Sequence, residues 1–258
     1  MTTLQLDQLK VQLDEGSLVS FKANGHEYIH QVGSPGWGKS DDEMFPIIGP
    51  TDEAGFKVKT PKGDAVLDQH GLLRELKYQC VDATETQAVF QKTYTANTPV
   101  KNSKFPKKSS EEWLTWPYDF RFQKQFNLKQ DALEIEFIIT GPEGMPFMLG
   151  YHPAFKLHSE NPVVVTSKEE IPLKDILAVG SRAYEVADCT EITLKDAKTL
   201  RISSQGFGNF MLWTEVTNML CIEPVSFYPY AVEQKNLDKG FRQLINEPAR
   251  FKVTLSIA

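Results

Sequence analysis

Three short segments hold the side chains best suited to moving protons: Gln69–His70–Gly71, Tyr151–His152–Pro153 and Ile222–Glu223–Pro224. An imidazole and a carboxylate that folding brings together can give and take protons on one substrate, which is general acid–base chemistry. His152 closes the stretch Met145–Tyr151, where Phe147, Leu149 and Tyr151 share one face and Met148, Gly150 and His152 the other. The small Gly150 beside His152 is expected to leave room for a ligand over the sheet. Glu223 follows a short apolar strand, Asn218–Ile222, whose Leu220 and Ile222 face the opposite way. A carboxylate there is either a solvated strand end or a desolvated base. Taken singly, each of these residues reads more readily as structural than as catalytic.

Other chemistries find less support. The histidines His26, His30, His70, His152 and His158 form no zincin-like motif. On a strand His26 and His30 would share a face about 13 Å apart, too far to chelate one ion. No metal site is expected. The glycines of Gly33–Gly38 and Gly206–Gly208 lack the strand–loop–helix context of a nucleotide site and read as turns. No serine sits in a nucleophile elbow, and Cys80, Cys189 and Cys221 have neither zinc spacing nor a local histidine partner. No cofactor motif is present, and no cofactor is expected.

The bulk properties agree with a small ligand. The chain has 258 residues, 41% hydrophobic and 24% charged, enough to bury a core without disulfides or metals. A formal net charge of −6 argues against nucleic acid, since phosphate binding wants a positive field. No apolar run reaches the length of a membrane span, and residues 1–10 lack the apolar core of a signal peptide. The expectation is a cytoplasmic protein with no membrane partner, monomeric or weakly dimeric, built as one domain over residues 1–258.

The elements that must position the candidate residues are strands. Ala132–Ile139 alternates Leu133, Ile135, Phe137 and Ile139 with Glu134 and Glu136, and Phe251–Ile257 repeats the pattern. Phe120, Phe122, Phe126 and Leu128 do the same, with Lys124 as the exception. Asn24–Gly25, between Leu18–Ala23 and His26–Val32, is a strong hairpin signal, because both turn residues tolerate positive φ. Pro61–Asp64 and Lys195–Lys198 read as further hairpin tips. Helical signals are few: Ser110–Trp113 could open a short helix stopped by Pro117, and Lys174–Leu177 could make another turn. Thr98–Glu112, with Lys101, Lys104, Lys107 and Lys108, reads as a long loop whose lysines face solvent. Strands at short spacing without a long amphipathic helix predict an all-β, antiparallel two-sheet sandwich.

Taken together and in order, five segments resemble the aldose 1-epimerase, or galactose mutarotase-like, family, and most nearly its shorter epimerase-related branch. They are Met44–Gly49, Gln69–Arg74, Trp116–Phe120, Met145–Phe155 and Leu220–Pro224. The resemblance implies a β-supersandwich with a sugar site on a broad concave face, and an isomerase that interconverts the α and β anomers of a free hexose. It implies His152 as general acid, Glu223 as general base, His70 as a positioning histidine, and Arg74 as a sugar-binding or supporting residue. Such a reaction needs one group to take the proton from the C1 hydroxyl and one to protonate the ring oxygen. Histidine and glutamate, with unperturbed pKa values of about 6.5 and 4.3, are oppositely protonated around neutrality.

The chain departs from the family pattern at Pro50, where many relatives carry an arginine, and in the length of the lysine-bearing loop. A catalytically silent carbohydrate-binding protein on the same fold is the alternative. With Arg74 the one cation expected near the site, a neutral hexose is expected over its 6-phosphate.

Overall fold

The computed structural model describes residues 1–245 and 248–257. Two antiparallel sheets dominate it. The larger has nine strands in the order Glu170–Pro172, Val163–Val165, Glu191–Lys195, Thr199–Gln205, Ala249–Ile257, Ala132–Thr140, Phe120–Leu128, Gln87–Tyr94 and Gln79–Ala83. The smaller runs Tyr184–Val186, Asn209–Trp213, Met219–Val225, Gly150–Tyr151 and Glu43–Met44, with Ala154–Lys156 also paired to Met219–Val225. A four-stranded sheet formed by residues 2–27 flanks them. The fold is the expected all-β, antiparallel two-sheet sandwich.

Alternation decides which residues fill the space between the sheets. Phe122, Ile135, Phe137, Val253 and Leu255 are all fully buried. Phe137 on the larger sheet meets Tyr151 on the smaller at 5.0 Å between ring centroids, and Phe122 meets Phe45 at 5.6 Å. Truncating an aromatic in such a seam to alanine costs about 3–5 kcal/mol. The turn signals hold as well: Asn24 and Gly25 have φ of 50° and 80°, as a type I′ turn requires. Tips form at residues 61–62 and 196–198 between paired strands. One α-helix, Leu173–Val179, occurs among the described residues. None of their helices is long and apolar enough to cross a membrane.

Several expectations need correction. The strand after Asn24–Gly25 covers only His26–Glu27; the chain then leaves that sheet and meets the smaller of the two main sheets through one bridge from Ile29 to Phe155. The helix expected at Ser110–Trp113 does not form. Trp113–Leu114 instead pairs with Val100–Lys101 and closes the long loop at its base. Asn102 wins this competition: its buried amide donates to Asp68, Ser109 and the Glu111 carbonyl, pinning the loop in a non-helical path.

Lys124, the one break in its strand's alternation, is not turned outward. It is fully buried, with Nζ 2.5 Å from Asp41 and 2.6 Å from Glu43. Burial opposes its charge, but the two carboxylates outweigh that and hold its pKa above the ordinary lysine value. Asp41 also accepts a hydrogen bond from the Tyr151 hydroxyl at 2.9 Å. This buried cluster ties the larger sheet to the segment that leads into the site.

Candidate active site

His70, Arg74, His152 and Glu223, separated by up to 153 positions in the chain, line one cavity of about 520 Å³. The strand Met219–Val225 carries Glu223 within it rather than at its end, which corrects the sequence expectation and explains why the carboxyl is 1% exposed. The solvated strand-end reading fails for that reason. His152 follows Gly150–Tyr151 and is 7% exposed. Its Nε2 lies 3.4 Å from Glu223 Oε1.

Gly150 does not leave space for a ligand. A Cβ there would come within 2.3 Å of the Met44 side chain and 3.3 Å of Val225, so core side chains already fill the position. The glycine serves close packing under the site.

Two of the sequence segments hold each other in place. Phe45 N–H donates to the His70 carbonyl, His70 N–H to the Gly49 carbonyl, and Leu73 N–H to the Phe45 carbonyl, each at 3.1 Å. Gly71 lies at φ +77°, and a Cβ there would sit 2.2 Å from the Phe45 carbonyl oxygen, so only glycine fits. The His70 ring accepts a hydrogen bond on Nδ1 from Gly49 N–H at 3.1 Å. A neutral ring with that acceptor carries its proton on Nε2. Its centroid is 6.0 Å from that of His152.

Burial shapes the protonation of all three titratable groups. It lowers His70 well below the usual 6.5, with the Arg74 and His152 charges adding to the effect. His152 is lowered to about 3 by burial first and by Arg74 second. Burial pushes the Glu223 carboxyl well above its ordinary value. Burial therefore works against the charged form of each partner in the 3.4 Å contact.

Arg74 sits on the cavity wall, its guanidinium 3.2 Å from the Asp42 carboxylate, which also takes a 2.6 Å contact from Lys39. Burial works against ionisation of Asp42, yet Arg74 and Lys39 outweigh it and keep the carboxyl below its ordinary pKa.

Sequence reasoning missed several neighbours. Trp37, from the glycine-rich turn, stacks on the His152 ring at 4.2 Å, and Trp213 meets it edge-on at 6.1 Å. Both tryptophans line the cavity. Neither occurs in one of the five matching segments, and a tryptophan between glycines carries no local signal of function. Nor are the loop lysines all solvated. Lys104 and Lys108 reach the cavity wall, and Lys104 contacts Asp68 at 2.9 Å and the Gln69 side-chain oxygen at 3.2 Å. The Asn102 anchor folds the loop inward, which spacing alone does not reveal.

His26 lies apart from the site, against the His158 ring at 4.3 Å, whereas His30 backs its wall, with Nε2 3.1 Å from the carbonyl of Trp37. All three cysteines are free, with Cys80 exposed and Cys189 and Cys221 buried.

A model of the aldose 1-epimerase family matches residues 16–200. Among solved structures, a galactose mutarotase-like protein from Lactobacillus casei ATCC 334 is similar at 17% identity and a TM-score of 0.81, over 100% of both chains. A galactose mutarotase related enzyme from Lactobacillus acidophilus is similar at 16% identity and a TM-score of 0.76, over 99% of this chain and 96% of that one. An aldose epimerase homologue from C. elegans shares the fold at 10% identity and a TM-score of 0.69, covering 100% and 98%. A comparison with curated proteins gives no match.

Proposed function

Because this chain belongs to the aldose 1-epimerase family, we propose that it is a mutarotase acting on a free hexose in the cytoplasm, as one catalytic domain over residues 1–258. The observation that carries the reading is the pairing of His152 and Glu223 at 3.4 Å in the wall of a cavity large enough for a monosaccharide.

In this reading the pair shares one proton, which supplies the one donor and the one acceptor that the reaction needs. Moving that proton across the 3.4 Å gap yields an imidazolium and a carboxylate without changing the proton count. Polar sugar hydroxyls entering the cavity favour this charged form, because they solvate what burial had left bare. Glu223 then takes the proton from the C1 hydroxyl while His152 protonates the ring oxygen. The C1–O5 bond breaks to give the open aldehyde, the C1–C2 bond rotates, and the same groups close the ring on the other face. His70 offers its Nε2 proton to a sugar oxygen, and Arg74, held by Asp42, offers its remaining N–H groups. Trp37 and Trp213 supply apolar faces that suit the C–H face of a pyranose.

Polarimetry on freshly dissolved α-D-glucose and α-D-galactose tests the proposal. Accelerated approach to anomeric equilibrium is the expected result. Saturable sugar binding with no acceleration would instead establish the silent carbohydrate-binding protein, the reading that Pro50 favours.

A further inference from the structure

Cys221 and Glu223, two apart on the strand Met219–Val225, face the same way. Cys221 pairs across the sheet with Ala154, two residues beyond His152, so the three side chains converge. One imidazole nitrogen, the Cys221 sulfur and one Glu223 oxygen all lie within 4.8 Å of one another, and all three residues are buried. We propose that this trio is a binding site for a borderline-soft divalent cation of the zinc type, and that its occupation switches the protein off. Separation in the chain hid the site: no two of the three belong to a recognisable ligand motif.

The donor set selects the ion, and the nitrogen–oxygen spacing fits it. A nitrogen, a thiolate sulfur and a carboxylate oxygen suit zinc, whereas magnesium and calcium demand oxygen donors. Zinc bonds of about 2.0–2.1 Å at a tetrahedral angle put a nitrogen and an oxygen about 3.3–3.4 Å apart. His152 Nε2 and Glu223 Oε1 are separated by 3.4 Å. Charge balances once binding releases the Cys221 thiol proton, and any proton on the Glu223 carboxyl, to solvent: a thiolate, a carboxylate and a neutral imidazole together offset a dication. Among the described residues no lysine or arginine nitrogen lies within 4.0 Å of the Glu223 carboxylate, so no fixed cation competes for it. His152 and Glu223 line the sugar cavity, which gives a fourth ligand access to an ion held by the trio.

The inhibitory half rests on the mutarotase reading, since a metal on His152 and Glu223 removes both the proton donor and the acceptor. The binding half does not. The test uses the full chain in a Cys80→Ser background, which removes the exposed thiol, titrated with Co²⁺ without oxygen. Near-ultraviolet sulfur-to-cobalt charge transfer and intense visible bands of a tetrahedral ion should saturate at one equivalent and vanish when Zn²⁺ is added. Cys221→Ser should lose the charge-transfer band. Its affinity should fall by more than the roughly 10–100-fold that loss of an outer-shell partner costs. Cys221→Ala serves if the serine variant melts early. Mutarotation should stop at one equivalent of Zn²⁺ in the parent and continue in the Cys221 variant, whose metal-free rate matches the parent. Absence of the charge-transfer band, or its survival in the Cys221 variant, would overturn the site. Normal cobalt spectra in a protein that never accelerates mutarotation would overturn the proposed function and leave the metal site standing.

Discussion

The main chains of Asp42 and His152 are joined by two reciprocal hydrogen bonds, Asp42 N–H to the His152 carbonyl at 3.1 Å and His152 N–H to the Asp42 carbonyl at 2.8 Å. The same Asp42 holds Arg74 and Lys39 with its carboxylate. One residue therefore sets the backbone position of the imidazole and the side-chain position of the arginine. Asp42→Ala should destabilise the protein by about 3 kcal/mol, because removing one partner strands the largely buried Arg74 charge. Urea melts of the variant and the parent measure this. A loss within about 0.5 kcal/mol would show the clamp to be idle.

His152→Asn and Glu223→Gln should each lower kcat by about 10²-fold or more, the usual cost of a lost acid or base. Glu223→Gln should fold at least as well as the parent, since burial already favours a neutral group there. Polarimetric turnover beside a thermal melt separates the two effects. Near-parental turnover in either variant would remove that residue from the mechanism.

His70→Asn should weaken both binding and turnover, because a positioning group acts on the ground state and the transition state alike. A histidine that merely packs beside Gly71 would leave KM and kcat unchanged.

A neutral hexose should have the higher kcat/KM when compared with its 6-phosphate. Two of the cations at the cavity wall are already matched, Arg74 by Asp42 and Lys104 by Asp68. Burial opposes ionisation of Asp68, but hydrogen bonds from Lys104, Asn102 and Ser109 hold its carboxyl below the usual range, so Lys104 is neutralised at working pH. A phosphate preference that weakens with salt and disappears in Lys104→Ala/Lys108→Ala would reverse this expectation.

Asp196 should contribute a pH-dependent part of the stability. Its carboxylate accepts hydrogen bonds from His158 N–H at 2.7 Å, Ser159 N–H at 2.8 Å and the Ser159 hydroxyl. Although burial opposes its charge, these donors hold the folded pKa below the ordinary 3.8. A depressed carboxyl stabilises the fold above its unfolded pKa and loses that contribution as pH falls through the folded one. Asp196→Asn should cost more stability at pH 7 than at pH 3. Equal losses at both values would show that the hydrogen bonds do not depend on its charge.

Much of this was legible in the chain. Period-two alternation identified the central strands because one face of each is dry, and Asn24–Gly25 identified its turn because few residue pairs tolerate its backbone. His70, Arg74, His152 and Glu223 emerged through segment likeness, and folding brings all four to one cavity. What stayed hidden depends on distant partners. Lys124 and the run Asp41–Asp42–Glu43 look like surface charge, because nothing local records that each will meet an opposite charge in the interior. The inward course of the lysine loop depends on Asn102 meeting Asp68, 34 residues away. Glu223 looked like a strand end because Pro224 follows it, but the strand continues to Val225.

The run Asp41–Asp42–Glu43 also checks its own alignment. Asp41 and Glu43 meet Lys124 between the sheets, while Asp42 meets Arg74 at the cavity. Sliding this run by one residue against Gly150–His152 would turn two carboxylates toward the sugar and send one to Lys124. Lys124 would be left half-neutralised in a dry interior, and Arg74 would face a doubled negative charge. Each mistake carries its own electrostatic penalty, and the two occur on opposite sides of the same strand. The alignment that satisfies the interior lysine is thus the one that turns Asp42 toward Arg74 at the cavity, beside the His152 that the pairing of residues 150–156 with Met219–Val225 sets opposite Glu223.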